Sequence, residues 1–333
     1  MAKTSRSVTS PSGNPSGVGG AVRLLISSIM MSADAEGADM MCCASCGIGQ
    51  VDDIKLKKCT ACYLVKYCGV KCQKEHRTKH KKGCKKRAAE LRDEILFKQP
   101  ESNHLGDCPI CFLPLQYDRN RSIMTACCSK WICRGCGHAN QMREAEEKMA
   151  KKCPFCRSPV PTSKEGVDKD AMKRVEVNDP AALRHMGIAR YNEGNYKSSF
   201  AYLLKGAELG DVGAHYQISL LYRDGEGVEK DVKKKVYHLE EAAIGGHLGA
   251  RYNLGNHECR NSRHDRAAKH YIIAANLGHE GSLQALKKGF KAGWVSKEDF
   301  AAALRAYQAA IDAMKSPQRD EAEAFVALQS TVN

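Results

Sequence analysis

The cysteines constrain this chain more than any other residue type. All but one of the 17 lie in two clusters, Cys42 to Cys84 and Cys108 to Cys156, and Cys259 stands apart. Most form close pairs, which is typical of a secreted disulfide scaffold or of a zinc protein. No signal peptide is recognisable, and no apolar run reaches the roughly 18 residues that span a membrane. We therefore predict reduced thiols in an intracellular protein, cytoplasmic or nuclear and without membrane partners.

The formal net charge of +14 raises the question of nucleic-acid binding. Residues 55–87 carry 13 basic side chains against Glu75 alone, so most of the excess lies inside the first cysteine cluster. Only Tyr63 and Tyr67 accompany them, whereas single-strand binders interleave aromatic and basic residues for stacking. The favoured interpretation is a solvated basic helix face, and nucleic-acid binding is the weaker alternative.

The first cluster has the ligand types and spacing of two tetrahedral zinc sites. A CxxC turn places two sulfurs on one ion without strain, and four ligand pairs suffice for two ions. A segment this short, with few large apolar residues, is expected to depend on metal in order to fold. The pairs are Cys43 and Cys46, Cys59 and Cys62, Cys68 and Cys72, and His80 and Cys84.

These residues resemble a MYND finger, whose signature is two CxxC pairs, a YCxxxCQ segment, then His and Cys. Tyr67 and Gln73 stand at the expected places, and Arg77 replaces the usual tryptophan. The resemblance implies binding to protein partners and two zinc ions in interleaved sites. One ion is held by Cys43, Cys46, Cys68 and Cys72, and the other by Cys59, Cys62, His80 and Cys84.

The second cluster supplies four further cysteine pairs. The segment CPICFLPL…CCSKWICRGC…CPFCRSP resembles a RING finger over residues 108–161. That resemblance also implies two zinc ions in interleaved sites. One is held by Cys108, Cys111, Cys133 and Cys136, and the other by Cys127, Cys128, Cys153 and Cys156.

The second of these sites departs from the common RING pattern. A RING usually has Cys-x-His before its third cysteine pair, and the matching residues here are Cys128 and Lys130. A protonated lysine cannot bind zinc. Three arrangements stay open: Cys127 and Cys128 both ligate, His138 is recruited, or the site lacks one ligand.

RING fingers that act as ubiquitin ligases position a ubiquitin-loaded conjugating enzyme and use no catalytic side chain of their own. By the resemblance, Ile110 and Pro154 make apolar contact with the conjugating enzyme, and Arg157 hydrogen-bonds across to ubiquitin. Many RING fingers have a bulky aromatic residue a few positions after the sixth cysteine; this chain lacks it, and Asn140 lies near that position. The alternative is that Ile110 and Pro154 only shape the zinc loops and that Arg157 is a solvated charge.

The C-terminal half shows internal repeats with spacings of 32, 36 and 32 residues, in the range of helical-hairpin solenoids. Small residues recur in phase at Ala182, Ala214, Ala250 and Ser282, where stacked hairpins leave no room for larger side chains. Asp179 is a candidate N-cap ahead of Pro180. The repeats resemble Sel-one-like repeats, of the tetratricopeptide type, which implies a scaffold that binds proteins.

The predicted fold is mostly α, with two small cross-brace zinc-finger modules followed by an α-α helical-repeat solenoid. The expected segments are a disordered tail (1–41), a MYND-type finger with a C-terminal helix (42–98), a RING-type finger (106–161), a linker (162–177), the repeats with a capping helix (178–316) and a C-terminal tail (317–333). The Ser/Gly/Pro-rich opening leaves organelle targeting as an alternative to a plain tail.

The chain as a whole resembles proteins that join MYND, RING and Sel-one-like modules. The predicted function is that of a zinc-binding RING-type ubiquitin ligase, a transferase, which recruits protein partners through its MYND finger and repeats. The alternative is a non-catalytic adaptor built on the same zinc folds. Nothing in the sequence resembles the catalytic domain of MYND-bearing methyltransferases.

Overall fold

The computed structural model describes residues 42–50, 54–118 and 120–331, so the tail predicted over 1–41 lies outside the described residues. Two small modules, each with a two-stranded antiparallel sheet and a helix, precede an array of helical hairpins. The predicted mostly α class is confirmed. None of the described helices is both long enough and apolar enough to cross a membrane.

The first cysteine module (the described residues of 42–98) is a short hairpin followed by a long helix. Strand β1 (Lys57–Lys58) pairs with β2 (Lys66–Tyr67), and helix α1 spans Val70–Leu96. Its lysines, arginines, glutamates and alanines are good helix formers, so the helix persists although little of it is covered. Only its last residues, Ile95 and Leu96, are buried.

The second cysteine module (the described residues of 106–161) has the same plan with a shorter helix. Strand β3 (Ser122–Met124) pairs with β4 (Trp131–Cys133), and α2 (Arg134–Glu146) follows directly. A small core forms around Leu115 and Ile132 with cysteines of this module. With so little apolar area buried, the module has few means of stability besides its cysteine centres.

The helical array begins as the sequence predicts, with Asp179 accepting hydrogen bonds from the backbone N–H groups of Ala181 and Ala182. The repeated small residues are almost fully buried, and a Cβ at Gly255 would lie 2.4 Å from the Tyr271 ring. Close helix approach is thus the reason for these residues. The helices are α4 (Pro180–Asn192), α5 (Tyr196–Glu208), α6 (Val212–Asp224), α7 (Val232–Ile244), α8 (Leu248–Arg260), α9 (His264–Ala275), α10 (Glu280–Lys291) and α11 (Lys297–Ala313).

Two segments that the sequence favoured as a linker and a tail are helices. Helix α3 (Lys164–Glu176) occupies most of 162–177, is capped by Ser163 and packs on α4. Helix α12 (Pro317–Thr331) occupies most of 317–333 and packs on α2 of the second cysteine module. Both are polar helices with few buried residues, and their packing partners lie elsewhere in the chain, so local patterning did not reveal them.

The first cysteine module is anchored in the array through the end of α1. Ile95 and Leu96 belong to the same core cluster as Leu239 of α7 and its neighbours. Arg251 of α8 is only 1% exposed, and its guanidinium donates to the carbonyl oxygens of Leu96 and Lys98. The array therefore caps the end of α1, where carbonyl groups lack partners within the helix.

The second cysteine module rests on the amino end of α8. A Cβ at Gly249 would lie 2.4 Å from the hydroxyl oxygen of Tyr117, so glycine is needed for this close approach. Just before the module, the ring of His104 stacks on that of His247, with centroids 4.3 Å apart, and the backbone N–H of His104 donates to the Gly246 carbonyl. Both cysteine modules thus make specific contacts with the repeats.

Candidate metal centres

The structure gathers every predicted ligand into four groups of four. Within each group the ligand atoms all lie within 4.8 Å of one another. We name them centre A (Cys43, Cys46, Cys68, Cys72), centre B (Cys59, Cys62, His80, Cys84), centre C (Cys108, Cys111, Cys133, Cys136) and centre D (Cys127, Cys128, Cys153, Cys156). The pairings are the interleaved ones that the two resemblances imply.

The sulfur separations fit a tetrahedral ion. Four thiolates about 2.3 Å from a zinc ion, at the corners of a tetrahedron, lie roughly 3.8 Å from one another. The observed separations are 3.7 Å between Cys46 and Cys68, 3.8 Å between Cys59 and Cys84, 3.8 Å between Cys111 and Cys133, and 3.4 Å between Cys127 and Cys156.

Four ligand pairs are presented by the same tight turn. In the turn at Cys108, the N–H of Phe112 donates to the Cys108 carbonyl, and the Cys108 N–H donates to the Leu113 carbonyl. The residue after the second cysteine is left-handed, a conformation that glycine adopts most easily. It is Gly47, Tyr63, Phe112 and Arg157 in the four turns, with φ of 76, 59, 56 and 61°.

Centre D contains a fifth turn of this kind, which the sequence analysis missed. Ser129 is left-handed at φ 56°, and its N–H donates to the carbonyl of Thr125, which takes the place of a first cysteine. Cys128 is then the ordinary second ligand of the turn, and the Thr125 hydroxyl lies 3.1 Å from its sulfur. The available signal in the sequence was TACCS, which has the spacing of a CxxC pair followed by one residue, with Thr125 in the place of the first cysteine.

The geometry distinguishes the three arrangements left open for this site. Cys127 joins Cys128 in centre D, with its sulfur 3.4 Å from that of Cys156. His138 is not in the group, because its ring is buried against Phe325 of α12, with centroids 4.8 Å apart. The structure therefore favours paired cysteine ligands over recruitment of His138 and over a missing ligand.

One thiol in each centre ionises more easily than an ordinary cysteine. Burial opposes ionisation at Cys43, Cys59 and Cys156, but nearby hydrogen-bond donors outweigh it and lower each pKa. In centre C the Cys133 thiol is the main donor to Cys108. The lowered pKa values are about 6 at Cys43, about 7 at Cys59, about 4 at Cys108 and about 6 at Cys156.

Other sulfurs of the centres ionise less easily. Burial is the largest cause that raises the pKa of Cys84 and of Cys136 to about 12; hydrogen bonds with Cys59 and Cys62 add to it at Cys84, and the charge of Cys108 adds to it at Cys136. Three or four thiols packed this closely cannot all ionise without a compensating cation. A divalent ion relieves the repulsion, so the donor sets fit zinc.

His76 lies beside centre B without belonging to it. Its Nδ1 lies 3.1 Å from the hydroxyl of Tyr67, which is 3% exposed. Its ring stacks on that of His80, with centroids 5.8 Å apart and an interplanar angle of 14°. A second side chain that fixes the orientation of a ligating imidazole is common around zinc.

The predicted conjugating-enzyme contacts lie on the surface of the second cysteine module. Ile110 directly precedes Cys111 in centre C and Pro154 directly follows Cys153 in centre D, and Ile110 is 37% exposed. Phe155, which the sequence analysis did not single out, is 42% exposed beside Pro154. Arg157 is exposed and donates from Nη1 to Oδ1 of Asn140 at 3.2 Å.

Comparison with known proteins identifies the first cysteine module. Residues 43–84 match the family model of the MYND finger, a zinc finger, which confirms the predicted module and zinc as its cofactor. MYND fingers and helical-repeat arrays are modules for protein–protein interaction.

The chain is also similar to solved repeat structures. One is a Sel1 repeat protein from Oxalobacter formigenes, with 25% identity, 54% of this chain and 72% of that chain covered, and a TM-score of 0.41. Another is a protective antigen of uropathogenic Escherichia coli strains that displays an SLR fold. There the identity is 24%, 44% of this chain and 33% of that chain are covered, and the TM-score is 0.38.

Proposed function

We propose that this protein is a RING-type ubiquitin ligase whose MYND finger and helical array recruit protein partners. The proposal assigns two zinc ions to centres A and B and two to centres C and D. The observation that carries it is the surface of the second cysteine module, where apolar side chains and one arginine project beside the two centres.

The apolar contacts of this surface are exposed, as a docking site requires. Ile110 and Phe155 are 37% and 42% exposed, and each lies between two cysteines that belong to one centre. Large apolar side chains on well-ordered turns provide contact area at low entropic cost. Such a surface suits a conjugating enzyme, which the ligase would hold in place rather than transform.

Arg157 is the residue proposed to reach ubiquitin. Its guanidinium offers several donors in a planar fork, a geometry suited to bridging two partners. Arg157 has a left-handed backbone conformation, with φ 61°, at the position after the second cysteine of its turn. In the corresponding turn of the first cysteine module this position is a glycine, Gly47. A left-handed conformation costs a non-glycine residue roughly 1 kcal/mol.

The experiment is an autoubiquitination assay with the full-length, zinc-loaded protein across a panel of conjugating enzymes. Ile110→Ala is expected to lower ubiquitin transfer at least tenfold with the enzyme that works best. Arg157→Gly is expected to lower transfer as well, while thermal stability stays the same or rises because the backbone strain is relieved. Unfolding therefore could not explain that loss.

Ile48→Ala is the matched control. Ile48 is 45% exposed and follows a turn of the same kind in the first cysteine module. Its replacement should leave transfer unchanged. A wild-type protein inactive with every conjugating enzyme would refute the ligase proposal and leave the non-catalytic adaptor as the better interpretation.

A further inference from the structure

The amino end of α12 inserts a buried arginine against centre C. Arg319 is 4% exposed, and its Nη2 lies 3.6 Å from the sulfur of Cys111. The same guanidinium donates to the carbonyl oxygens of Leu113 at 3.2 Å and Pro114 at 2.8 Å. It therefore contacts one ligand and the backbone that follows that ligand.

The helix that carries Arg319 is fixed on the module by further contacts. A Cβ at Gly135 of α2 would lie 2.9 Å from the backbone nitrogen and from Cγ of Arg319, so only glycine admits the helix. Phe325 packs on His138, and Glu323 pairs with Arg121 at 3.2 Å. The position of the guanidinium is thus set by a whole interface.

The charge of Arg319 suits a site made of four cysteines. Four thiolates on one divalent ion carry a net charge of about −2, which is costly to bury without compensation. Hydrogen bonds to ligand sulfurs and to the loops that bear them are a common way to stabilise such a site. Backbone N–H groups also donate to the sulfurs of centre C, but they carry no net charge. Among the described residues, Arg319 is the buried cationic side chain at this centre.

We propose that Arg319 is a positioning residue for centre C, so that metal binding there depends on a helix from the far end of the chain. The guanidinium holds the turn from Cys111 to Pro114 and offsets part of the thiolate charge. By linkage, metal at centre C also stabilises the docking of α12. The inference rests on the proposed zinc occupancy of centre C and not on ligase activity.

The test compares zinc release from full-length proteins after addition of a chelator. Native mass spectrometry counts the ions per chain with time, and alkylation followed by peptide mapping shows which thiols become free. Arg319→Met should release one ion about 10- to 100-fold faster than wild type. The thiols that become reactive should be Cys108, Cys111, Cys133 and Cys136.

Two further variants separate positioning from general stability. Arg319→Lys keeps the charge but cannot reach the same acceptors, so its release rate should fall between those of wild type and Arg319→Met. Arg121→Met removes an exposed ion pair of the same interface and should release zinc at the wild-type rate. In all variants the thiols of centres A and B should stay protected, which shows that the rest of the chain is folded.

Each outcome decides the matter. If Arg319→Met and Arg121→Met release zinc at the same rate, the inference is overturned while the proposed occupancy stands. If the wild-type thiols of centre C are alkylated from the start, the occupancy fails and the inference with it. Should Arg319→Met not fold, Gly135→Ala takes its place, because it keeps all ligands and Arg319 but displaces α12; an unchanged release rate there overturns the inference.

Discussion

Replacing His270 by leucine tests how the array tolerates a buried imidazole. His270 is 0% exposed, and neither ring nitrogen has a hydrogen-bond partner among the described residues. A buried polar atom left unpaired costs about 1–3 kcal/mol. Leucine removes both atoms but loses the ring contact with Phe97, whose centroid is 4.8 Å away and whose contact is worth about 1 kcal/mol. We expect the variant to be more stable by about 2 kcal/mol.

The difference in the free energy of unfolding between His270→Leu and wild type should increase at acidic pH. Burial, followed by the charges of Arg251 and Arg266, holds the pKa of His270 well below its usual range, so the folded protein keeps the ring neutral. The unfolded chain takes up a proton below about pH 6.5, and the folded chain does not, so stability is lost as the pH falls from there. At pH 5.5 this costs the wild type about 1.4 kcal/mol more than at neutral pH, and the variant escapes that cost.

The assay is urea unfolding of the full, zinc-loaded chain, followed by circular dichroism at pH 7.5 and at pH 5.5. Acid effects on the cysteine centres are shared by both proteins and drop out of the difference. His264→Leu is the matched control, because His264 is exposed on the same helix. Its free energy of unfolding at pH 7.5 should not rise, and it should fall by at most about 1 kcal/mol because the ring contact with Trp294, with centroids 5.3 Å apart, is lost. A less stable His270→Leu variant, or a difference that does not widen in acid, would refute the reasoning.

Two other substitutions test how the modules are held on the array. Arg92→Met breaks ion pairs with Glu240 and Glu241 at 2.8 and 2.9 Å and leaves the Glu241 carboxylate, 2% exposed, without its partner. We expect a loss of about 3 kcal/mol in urea unfolding, and a loss under about 1 kcal/mol would contradict the role given to this pair. Gly249→Ala would overlap the Tyr117 hydroxyl and cost about 1–3 kcal/mol. Faster hydrogen exchange over residues 102–106 would report the displacement, and unchanged exchange would count against it.

What the sequence predicted well was what neighbouring residues determine. Ligand pairs such as Cys43 and Cys46 are close in sequence, so their spacing reports the turn that presents them, and the four-fold grouping followed from the resemblances. The period of the helical hairpins could be predicted because small residues must recur wherever helices approach closely. The N-cap role of Asp179 could be predicted because it depends on the residues that directly follow it.

What the sequence did not predict depends on contacts between distant segments. Arg319 is an ordinary charged residue in a polar helix until α12 meets α2, and only then does it become buried. Thr125 has no ligand atom that favours zinc, so the spacing of TACCS was a weak signal, and the backbone hydrogen bonds are what place Thr125 in a cysteine-type turn. The assignment of Ile110, Pro154 and Arg157 to a conjugating enzyme stays a prediction.

The buried guanidinium of Arg251 affects how the protein can be dissected by truncation. A fragment that begins after residue 98 lacks the carbonyl oxygens that this side chain donates to, and it exposes the apolar surface around Leu239. Deleting the finger therefore damages the repeats, and a partner lost from such a fragment cannot be assigned to either module. Single substitutions at exposed positions of α1, such as Arg77, would locate binding sites without this ambiguity.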